Sequence, residues 1–256
     1  MRVLNCLPSK DTERDWKVEN ALAAGVLAAA PIPQSKDLRE PWWSIGDQGA
    51  TGSCVGWATA DSVLRWHFVK AGRLKTTQRL SQRFTWMAAK ETDEFNDRPT
   101  TFIELDGTSL KAALDVSRKF GAVPDDVLPF ASGALYPDQT DTFYVIAAQY
   151  KIASYINLGR DLADWRQWLA FKGPILTRLT CDSVWMNAKQ TSGKLDAYDQ
   201  ASARGGHAVA LIGYDASMFI VRNSWGTQLW GDKGFGYASN LYAAAAFTEA
   251  YGVNLV

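Results

Sequence analysis

The sequence predicts an α+β protein of two lobes, a helical lobe followed by a strand-rich lobe. In the first half, apolar stretches follow capping residues and end at glycines, as helices do. In the second half, β-branched and aromatic residues gather in short runs that are typical of strands. Because helices and strands are segregated along the chain, they favour an α+β architecture over repeated βαβ units.

The helices of the first half are predicted from their start and stop signals. Gly72 stands where the second helix would end, Ser81 is placed to cap the third, and Gly121 closes the fourth. The predicted helices cover roughly residues 15–29, 54–70, 81–90 and 109–120. Residues 91–106 are polar and predict a loop.

The second half is predicted to supply most of the strands. The predicted strands cover residues 143–150, 152–158, 175–179, 207–214, 218–222 and 235–238. A helix over 161–171 is expected to stop at Gly173-Pro174. The polar connection over about 186–204, which contains Gly193, is predicted to be a surface loop near a cleft.

Length and charge limit the classes of function. The chain has 256 residues, enough to bury a sizeable core. Basic and acidic residues balance at 27 each, so charge gives no reason to expect nucleic acid or an anionic membrane as a partner. The apolar run over 21–30 is too short to span a bilayer and lacks the basic leader of a secretion signal. We expect a cytoplasmic protein, with a monomer favoured and export by another route left open.

The cysteines argue for a reducing compartment. Cys6, Cys54 and Cys181 allow at most one disulfide, and no Cys/His cluster has zinc spacing. We therefore expect no metal and no cofactor.

One cysteine has the sequence context of a nucleophile. Gly49 and Gly52 form a tight loop ahead of Cys54, which stands where a long apolar helix begins. The positive end of the helix dipole favours thiolate over thiol. The alternative is a small buried apolar residue, because free cysteines are commonly interior.

The chain offers two histidines as a base for that thiol. His67 lies thirteen residues after Cys54 on the same predicted helix, which places it roughly 20 Å away. It is predicted to be a packing or helix-surface residue. His207 is therefore the predicted partner of Cys54.

Three segments then occur in an informative order. They are Gln48-Gly-Ala-Thr-Gly-Ser-Cys54, Gly205-Gly-His207-Ala-Val, and Asn223-Ser-Trp225-Gly. Together they resemble the papain-like cysteine peptidases, in particular bacterial or viral members with few disulfides. The resemblance implies a papain-like two-lobed fold, with a central nucleophile helix, a β-barrel-like second lobe and an active-site cleft between the lobes.

The resemblance also implies catalytic roles. Cys54 would be the nucleophile and His207 its acid and base, with the Asn223 amide oxygen fixing the imidazole ring. The Gln48 side chain and the Cys54 backbone N–H would stabilise the oxyanion. The alternatives are that Gln48 is a solvated loop residue and Asn223 a turn former. Asp215 is a rival group for orienting the histidine.

The resemblance also implies substrate-binding positions at Gly107, Gly206 and Trp225. Gly107 would lend backbone hydrogen bonds to an extended substrate, although a plain turn glycine is an equal alternative. Trp225 would shield the His207–Asn223 bond from water, or serve only as a core aromatic. The sequence departs from the family at Val55, where tryptophan is common, and at Gly206, where a polar residue often precedes the histidine. Both departures alter the walls of the cleft.

These observations predict a domain plan and a function. Residues 1–40 form an N-terminal segment, either a short inhibitory segment or a packed strap, with the strap favoured. Residues 41–256 form the peptidase domain, helical over about 41–140 and strand-rich over about 141–256. The predicted activity is endopeptidase cleavage of protein or peptide substrates through an acyl-enzyme. The alternatives are non-hydrolytic acyl transfer, as in a deamidase or transamidase, and a catalytically idle binding protein on the same fold.

Overall fold

The structure is a computed structural model that describes residues 2–92, 104–131 and 140–255. Its helices are α1 (Val18–Ala23), α2, α3 (Gln82–Thr92), α4 (Leu110–Lys119), α5 (Thr140–Ala148), α6 (Leu162–Phe171), α7 (Ser183–Met186) and α8 (Asn240–Ala246). Helix α2 consists of three consecutive segments, Cys54–Gly56, Trp57–Leu64 and Arg65–Lys70. No helix among the described residues combines the length and the apolar character needed to cross a membrane.

Helix α2 runs through the centre of the molecule. Every residue of its first two segments is buried, and the middle segment is wound as a π-helix. Gly56 allows α3 to pack closely, since a side chain there would overlap the Gln82 carbonyl oxygen. A helix buried on all sides needs small and apolar residues around its whole circumference, which this stretch supplies.

Capping residues begin the next two helices of this lobe where the sequence predicts them. The Ser81 hydroxyl oxygen accepts a hydrogen bond from the Phe84 N–H at 3.0 Å. The Ser109 hydroxyl oxygen accepts one from the Ala112 N–H at 3.2 Å. Each serine thereby satisfies one of the amide groups that a helix start leaves unpaired.

The strands form one open sheet. They are β1 (Lys36–Asp37), β2 (Ser154–Asn157), β3 (Ile175–Thr180), β4 (Lys194–Leu195), β5 (Gly206–Tyr214), β6 (Met218–Arg222), β7 (Phe235–Ser239) and β8 (Phe247–Asn254). The described strands are ordered β2-β8-β3-β5-β6-β7-β4, and β1 pairs with β5. All pairs are antiparallel except β4 with β7. All nine residues of β5 are buried, so this strand is the core of the second lobe.

A buried charge cluster joins the two lobes. Asp61, about two turns along α2 from Cys54, pairs with Arg222 at the end of β6 at 2.8 Å. The same carboxylate pairs with Arg79 at 3.0 Å and with Arg65 at 3.3 Å. Removing one partner from a buried ion pair is strongly destabilising. The cluster therefore fixes how the first lobe sits on the second.

The structure corrects several element predictions. Residues 143–150 are not a strand, because 140–148 form α5. Phe143 and Ala147 are four residues apart and both buried, so one face of a helix points inward. The helix predicted over 15–29 is limited to α1, and the predicted loop over 186–204 contains β4 and a 3₁₀ turn (Gln200–Ser202). The sequence predicts neither α8 nor β8. Most of the loop predicted over 91–106 lies outside the described residues.

Candidate active site

Cys54 is the first residue of α2 and is fully buried. The loop before it is held by the Thr51 hydroxyl, which donates to the Gln48 carbonyl oxygen at 2.8 Å. The neighbouring Cys6 thiol lowers the pKa of the Cys54 thiol, and burial opposes that effect. The nearby His207 lowers the pKa further, so that it lies well below the usual range. The site therefore favours the thiolate that nucleophilic chemistry needs.

His207 is the second residue of β5 and is fully buried. Its Nε2 atom lies 2.8 Å from the Asn223 amide oxygen. Its Nδ1 atom has no hydrogen-bond partner among the described residues. His207 is nevertheless near enough to Cys54 to lower the pKa of its thiol. The imidazole ring is thus anchored to Asn223 on one side, and its other nitrogen is not committed to another group among those residues.

Asn223 directly follows β6 and is held by its backbone. Its N–H donates to the Gly234 carbonyl oxygen at 3.1 Å, and its side-chain oxygen also accepts from the Ser224 N–H at 2.8 Å. Because β6 pairs antiparallel with β5, with Arg222 opposite Ala210, the residue after β6 comes close to the start of β5. The sheet register therefore brings Asn223 to His207.

Three tryptophans enclose the histidine. The Trp225 ring centroid lies 4.8 Å from that of His207, and the Trp185 centroid lies 5.7 Å from it. Trp230 packs on Trp185 at 4.4 Å and donates its indole N–H to the Trp185 carbonyl oxygen at 2.8 Å. All three rings are buried, so water is kept from the His207–Asn223 hydrogen bond.

Gln48 is fully buried rather than solvated. Its side-chain oxygen accepts from the Ser224 hydroxyl at 2.9 Å, and its amide N–H donates to the Thr51 carbonyl oxygen at 3.1 Å. Its backbone N–H donates to the Ser224 carbonyl oxygen at 2.9 Å. Ser224 therefore ties the loop of the first lobe to the Asn223 turn of the second. Sequence reasoning gave Ser224 no role, although it lies directly between two residues that were given roles.

The two predicted cleft glycines face the N-terminal segment. The Cys6 N–H donates to the Gly206 carbonyl oxygen at 3.0 Å, and the Leu7 N–H donates to the Thr108 carbonyl oxygen at 3.0 Å. A side chain at Gly206 would overlap the Cys6 carbonyl oxygen, and one at Gly107 would overlap that of Asn5. Glycine is required at both positions because another backbone passes this close.

Residues 2–9, here called the cleft segment, thus cross the site over Cys54. At one end, the Arg2 guanidinium pairs with Asp47 and donates to the Trp225 carbonyl oxygen at 3.1 Å. At the other end, Ser9 donates its N–H to the Glu249 carboxylate at 3.0 Å. Between these ends, Asn5 packs against Gly52, two residues before Cys54, and Cys6 packs against Gly206, the residue before His207.

The remaining sequence candidates lie elsewhere. Asp215 accepts hydrogen bonds from the Ser217 N–H at 2.7 Å and the Met218 N–H at 2.9 Å, so its carboxylate stabilises the turn before β6. His67 is buried beside Trp66, and its ring Nε2 has no partner among the described residues. Burial and the nearby Lys172 charge lower the pKa of His67 to about 4. Within the described part of the chain, no group of His, Cys, Asp and Glu side chains is placed to hold a metal ion.

The fold and this constellation define a two-lobed thiol-dependent hydrolase. The family described as papain family cysteine protease matches residues 32–246. This chain belongs to that family, whose members are hydrolases that act on peptide bonds. The match begins after the cleft segment and includes Gln48, Cys54, His207 and Asn223.

Solved structures with the same fold are distant in sequence. Xylellain, a cysteine protease from Xylella fastidiosa, is 21% identical, with a TM-score of 0.81 over 100% of this chain and 97% of that chain. Procathepsin B S9 from Trypanosoma congolense is 18% identical, with a TM-score of 0.70 over 98% of this chain and 86% of that chain. Digestive procathepsin L 3 of Tenebrio molitor larval midgut is 21% identical, with a TM-score of 0.65 over 89% of this chain and 72% of that chain. No curated protein sequence matches this chain.

Proposed function

We propose that this chain is an endopeptidase that acts through a Cys54 thiolate and a His207 imidazolium. The observation that carries the proposal is that His207 is held by Asn223 at 2.8 Å and lies near enough to Cys54 to lower the pKa of its thiol. The thiolate attacks the carbonyl carbon of the scissile peptide bond, and His207 gives its proton to the leaving amine. The product is a thioester between the substrate and Cys54.

The second half of the cycle uses the same histidine as a base. His207 takes a proton from water, and the resulting hydroxide attacks the thioester carbonyl. The carboxylic acid product leaves, and the Cys54 sulfur departs as a thiolate. The proton that His207 took from water stays on the ring, so the thiolate–imidazolium pair is restored. Asn223 holds the imidazole ring through both steps, and the tryptophan cage keeps that hydrogen bond dry.

The oxyanion of each tetrahedral intermediate is stabilised from the first lobe. The donors are the Gln48 side-chain amide and the Cys54 backbone N–H. The Ser224 hydroxyl donates to the Gln48 side-chain oxygen, which turns the amide nitrogen towards the loop that precedes Cys54. Preorganised donors of this kind need no reorientation when charge develops.

Cleavage within a chain, rather than from its end, is supported by the path of the cleft segment. Residues 2–9 extend past Cys54 in both directions, from the Trp225 carbonyl to Glu249. An extended polypeptide therefore has room on both sides of the nucleophile. Gly107 and Gly206 provide the close backbone approach that a substrate strand would use.

The cleft segment itself acts as an inhibitor in this proposal. It occupies the groove that a substrate needs, and it covers the Cys54 thiol. The Cys6 carbonyl oxygen accepts from the Arg178 guanidinium at 3.0 Å and not from the proposed oxyanion donors, Gln48 and Cys54, so its peptide bond is not positioned for attack. The segment is therefore bound without being cleaved.

Digestion of a mixed peptide library tests both parts. We expect the chain lacking residues 2–7 to cleave faster than the full chain, and the same truncation with Cys54→Ala to be inactive. A synthetic peptide of residues 2–9, added to the truncated chain, should restore inhibition. The truncation spares α1 and β1, which supply buried residues and a partner for β5.

Two results would contradict the proposal. Cleavage that persists in the truncated Cys54→Ala variant would remove Cys54 as the nucleophile. A truncated chain that stays folded, cleaves no faster than the full chain and ignores the added peptide would leave residues 2–9 as a packing strap.

A further inference from the structure

The side chain of Arg2 is surrounded by acceptors beside the catalytic residues. Its Nη1 atom donates to the Asp47 carboxylate and to the Gly49 carbonyl oxygen, the latter at 2.7 Å. Its Nη2 atom donates to the other carboxylate oxygen of Asp47 at 3.1 Å and to the Trp225 carbonyl oxygen at 3.1 Å. The guanidinium carbon also lies 5.8 Å from the centre of the Trp225 ring. The Arg2 side chain is only 15% exposed, so these groups form a pocket, here called the Arg2 pocket.

The acceptors of the Arg2 pocket fit a guanidinium group better than an ammonium group. Each of the two terminal nitrogens meets one carboxylate oxygen and one carbonyl oxygen. This is the planar, two-pronged geometry that arginine provides. Lysine has one charged nitrogen on a flexible stem and cannot bind both carboxylate oxygens in the same way. The pocket therefore favours arginine over lysine.

The Arg2 pocket is held in shape by contacts between the two lobes. Asp47 and Trp225 pair as an antiparallel bridge, and the Gly226 N–H donates to the Gly46 carbonyl oxygen at 3.0 Å. The Gly49 N–H donates to the Asp47 carboxylate at 2.9 Å and so orients its oxygens. These contacts all lie outside the cleft segment. The pocket is therefore expected to remain when the segment leaves.

The Arg2 pocket lies next to the catalytic groups. Asp47 directly precedes Gln48, the proposed oxyanion donor. The Trp225 ring packs on His207, with ring centroids 4.8 Å apart. A polypeptide in the groove therefore passes the pocket close to the bond that is cleaved.

We propose that the Arg2 pocket is a substrate subsite for an arginine side chain. The preferred substrates are then polypeptides with arginine at one fixed position relative to the cleaved bond. This inference rests on the proposed function, because it names the substrate class of the same site. In the full chain, Arg2 occupies the subsite, so the cleft segment competes with substrates through the side chain that they would use.

Cleavage-site mapping on a mixed peptide library tests the subsite in the chain lacking residues 2–7. We expect arginine to be enriched at one position relative to the cleaved bonds, and lysine to be enriched less. Asp47→Asn should lower kcat/KM for the arginine peptides about 10-fold, because the charge is lost from a pair that is partly exposed to water. Peptides without arginine at that position should be cleaved as before.

Asp37→Asn is the matched control for Asp47→Asn. The Asp37 carboxylate also pairs with an arginine, Arg39, and is 43% exposed, against 45% for Asp47. It lies opposite Gly213, at the far end of β5 from His207. The control variant should therefore keep the arginine preference of the truncated chain.

A binding measurement without turnover tests the Arg2 pocket separately from catalysis. The truncated Cys54→Ala chain is titrated by calorimetry with a peptide of residues 2–7, and with the same peptide carrying Arg2→Lys or Arg2→Gln. We expect the dissociation constant to rise in that order, by about 10-fold for the glutamine peptide. The three peptides should differ less when the chain also carries Asp47→Asn.

The possible results separate the subsite from the proposed function. No arginine enrichment at any fixed position, an enrichment that survives Asp47→Asn, or equal binding of the three peptides would overturn the subsite and leave the peptidase. Arginine-dependent binding in a chain that cleaves no peptide after truncation would contradict the proposed function and leave the pocket as a site that binds arginine.

Discussion

The two members of the catalytic pair are held in different ways. Cys54 begins a helix after a glycine loop, and the groups that lower the pKa of its thiol include Cys6, which belongs to the separate cleft segment. His207 lies in a strand paired with β3 and is enclosed by tryptophans that cannot leave. The difference teaches that the environment of the thiol depends partly on a segment outside the two lobes, whereas the position of the imidazole is built into the core.

The largest effect is expected when the fixed member is removed. In the truncated chain, His207→Ala should lower kcat/KM by at least about 10⁴-fold, because both the acid and the base are lost. His67→Gln is the matched control, since it replaces the other histidine away from the site and should leave activity at neutral pH unchanged. Equal losses in the two variants would contradict the assignment of the base.

The enclosure of His207 should matter for stability. Trp185→Ala removes a fully buried ring that contacts His207 and Trp230, and we expect a loss of about 3–5 kcal/mol in the free energy of unfolding. Trp16→Ala is the control, because that side chain is 56% exposed and its loss should cost less than about 1 kcal/mol. Denaturant unfolding measures both. Similar midpoints for the two variants would show that the tryptophan cage is not part of the rigid core.

The second histidine should make the fold sensitive to acid. The pKa of His67 is about 4 in the folded chain, below the ordinary value of 6.5, so the unfolded chain binds the proton more readily. Stability from this group is therefore complete above about pH 6.5 and is lost as pH falls towards 4, by at most about 3 kcal/mol. Denaturant unfolding of the wild type and of His67→Gln at pH 7 and pH 4 measures this contribution. If the free energy of unfolding falls by the same amount in both proteins between the two pH values, the prediction is wrong.

The orienting amide should have the smallest effect of the four. Asn223→Ala leaves a ring nitrogen of His207 buried without its partner, which we expect to lower kcat/KM by about 10- to 100-fold in the truncated chain. Asn223→Gln retains the amide on a longer side chain, and its kcat/KM should lie between those of the wild type and Asn223→Ala. An Asn223→Ala variant with wild-type kcat/KM would mean that the strand and the tryptophans alone hold the ring.

The sequence predicts the chemical groups of the site better than the elements around them. Cys54, His207 and Asn223 occur in short motifs, and each motif carries its own turn or strand signal. The strand predicted over residues 143–150 is wrong because Phe143, Val145 and Ile146 favour a strand only by their local propensity. Burial of one helical face overrides that preference in the folded chain.

Contacts between distant segments explain what the sequence leaves out. Cys6 has no local pattern that predicts a role, and its place follows from pairing beside Gly206, which is remote in the chain. Ser224 and Trp185 likewise gain their roles from partners in other segments. Hydrogen bonds and packing of this kind depend on the register of the sheet, which no single stretch encodes.

The buried Asp61–Arg222 pair has a consequence for how the groove exchanges its occupant. That pair and the neighbouring arginines hold the two lobes in a fixed arrangement. We therefore do not expect the lobes to separate in order to release a polypeptide that lies in the groove between them. A bound polypeptide must instead dissociate progressively, starting from one of its ends. The Arg2 end is held by a partly solvated carboxylate, whereas Ser9 bonds to the mostly buried Glu249. Release of the segment is therefore expected to begin at Arg2 and to end at Ser9.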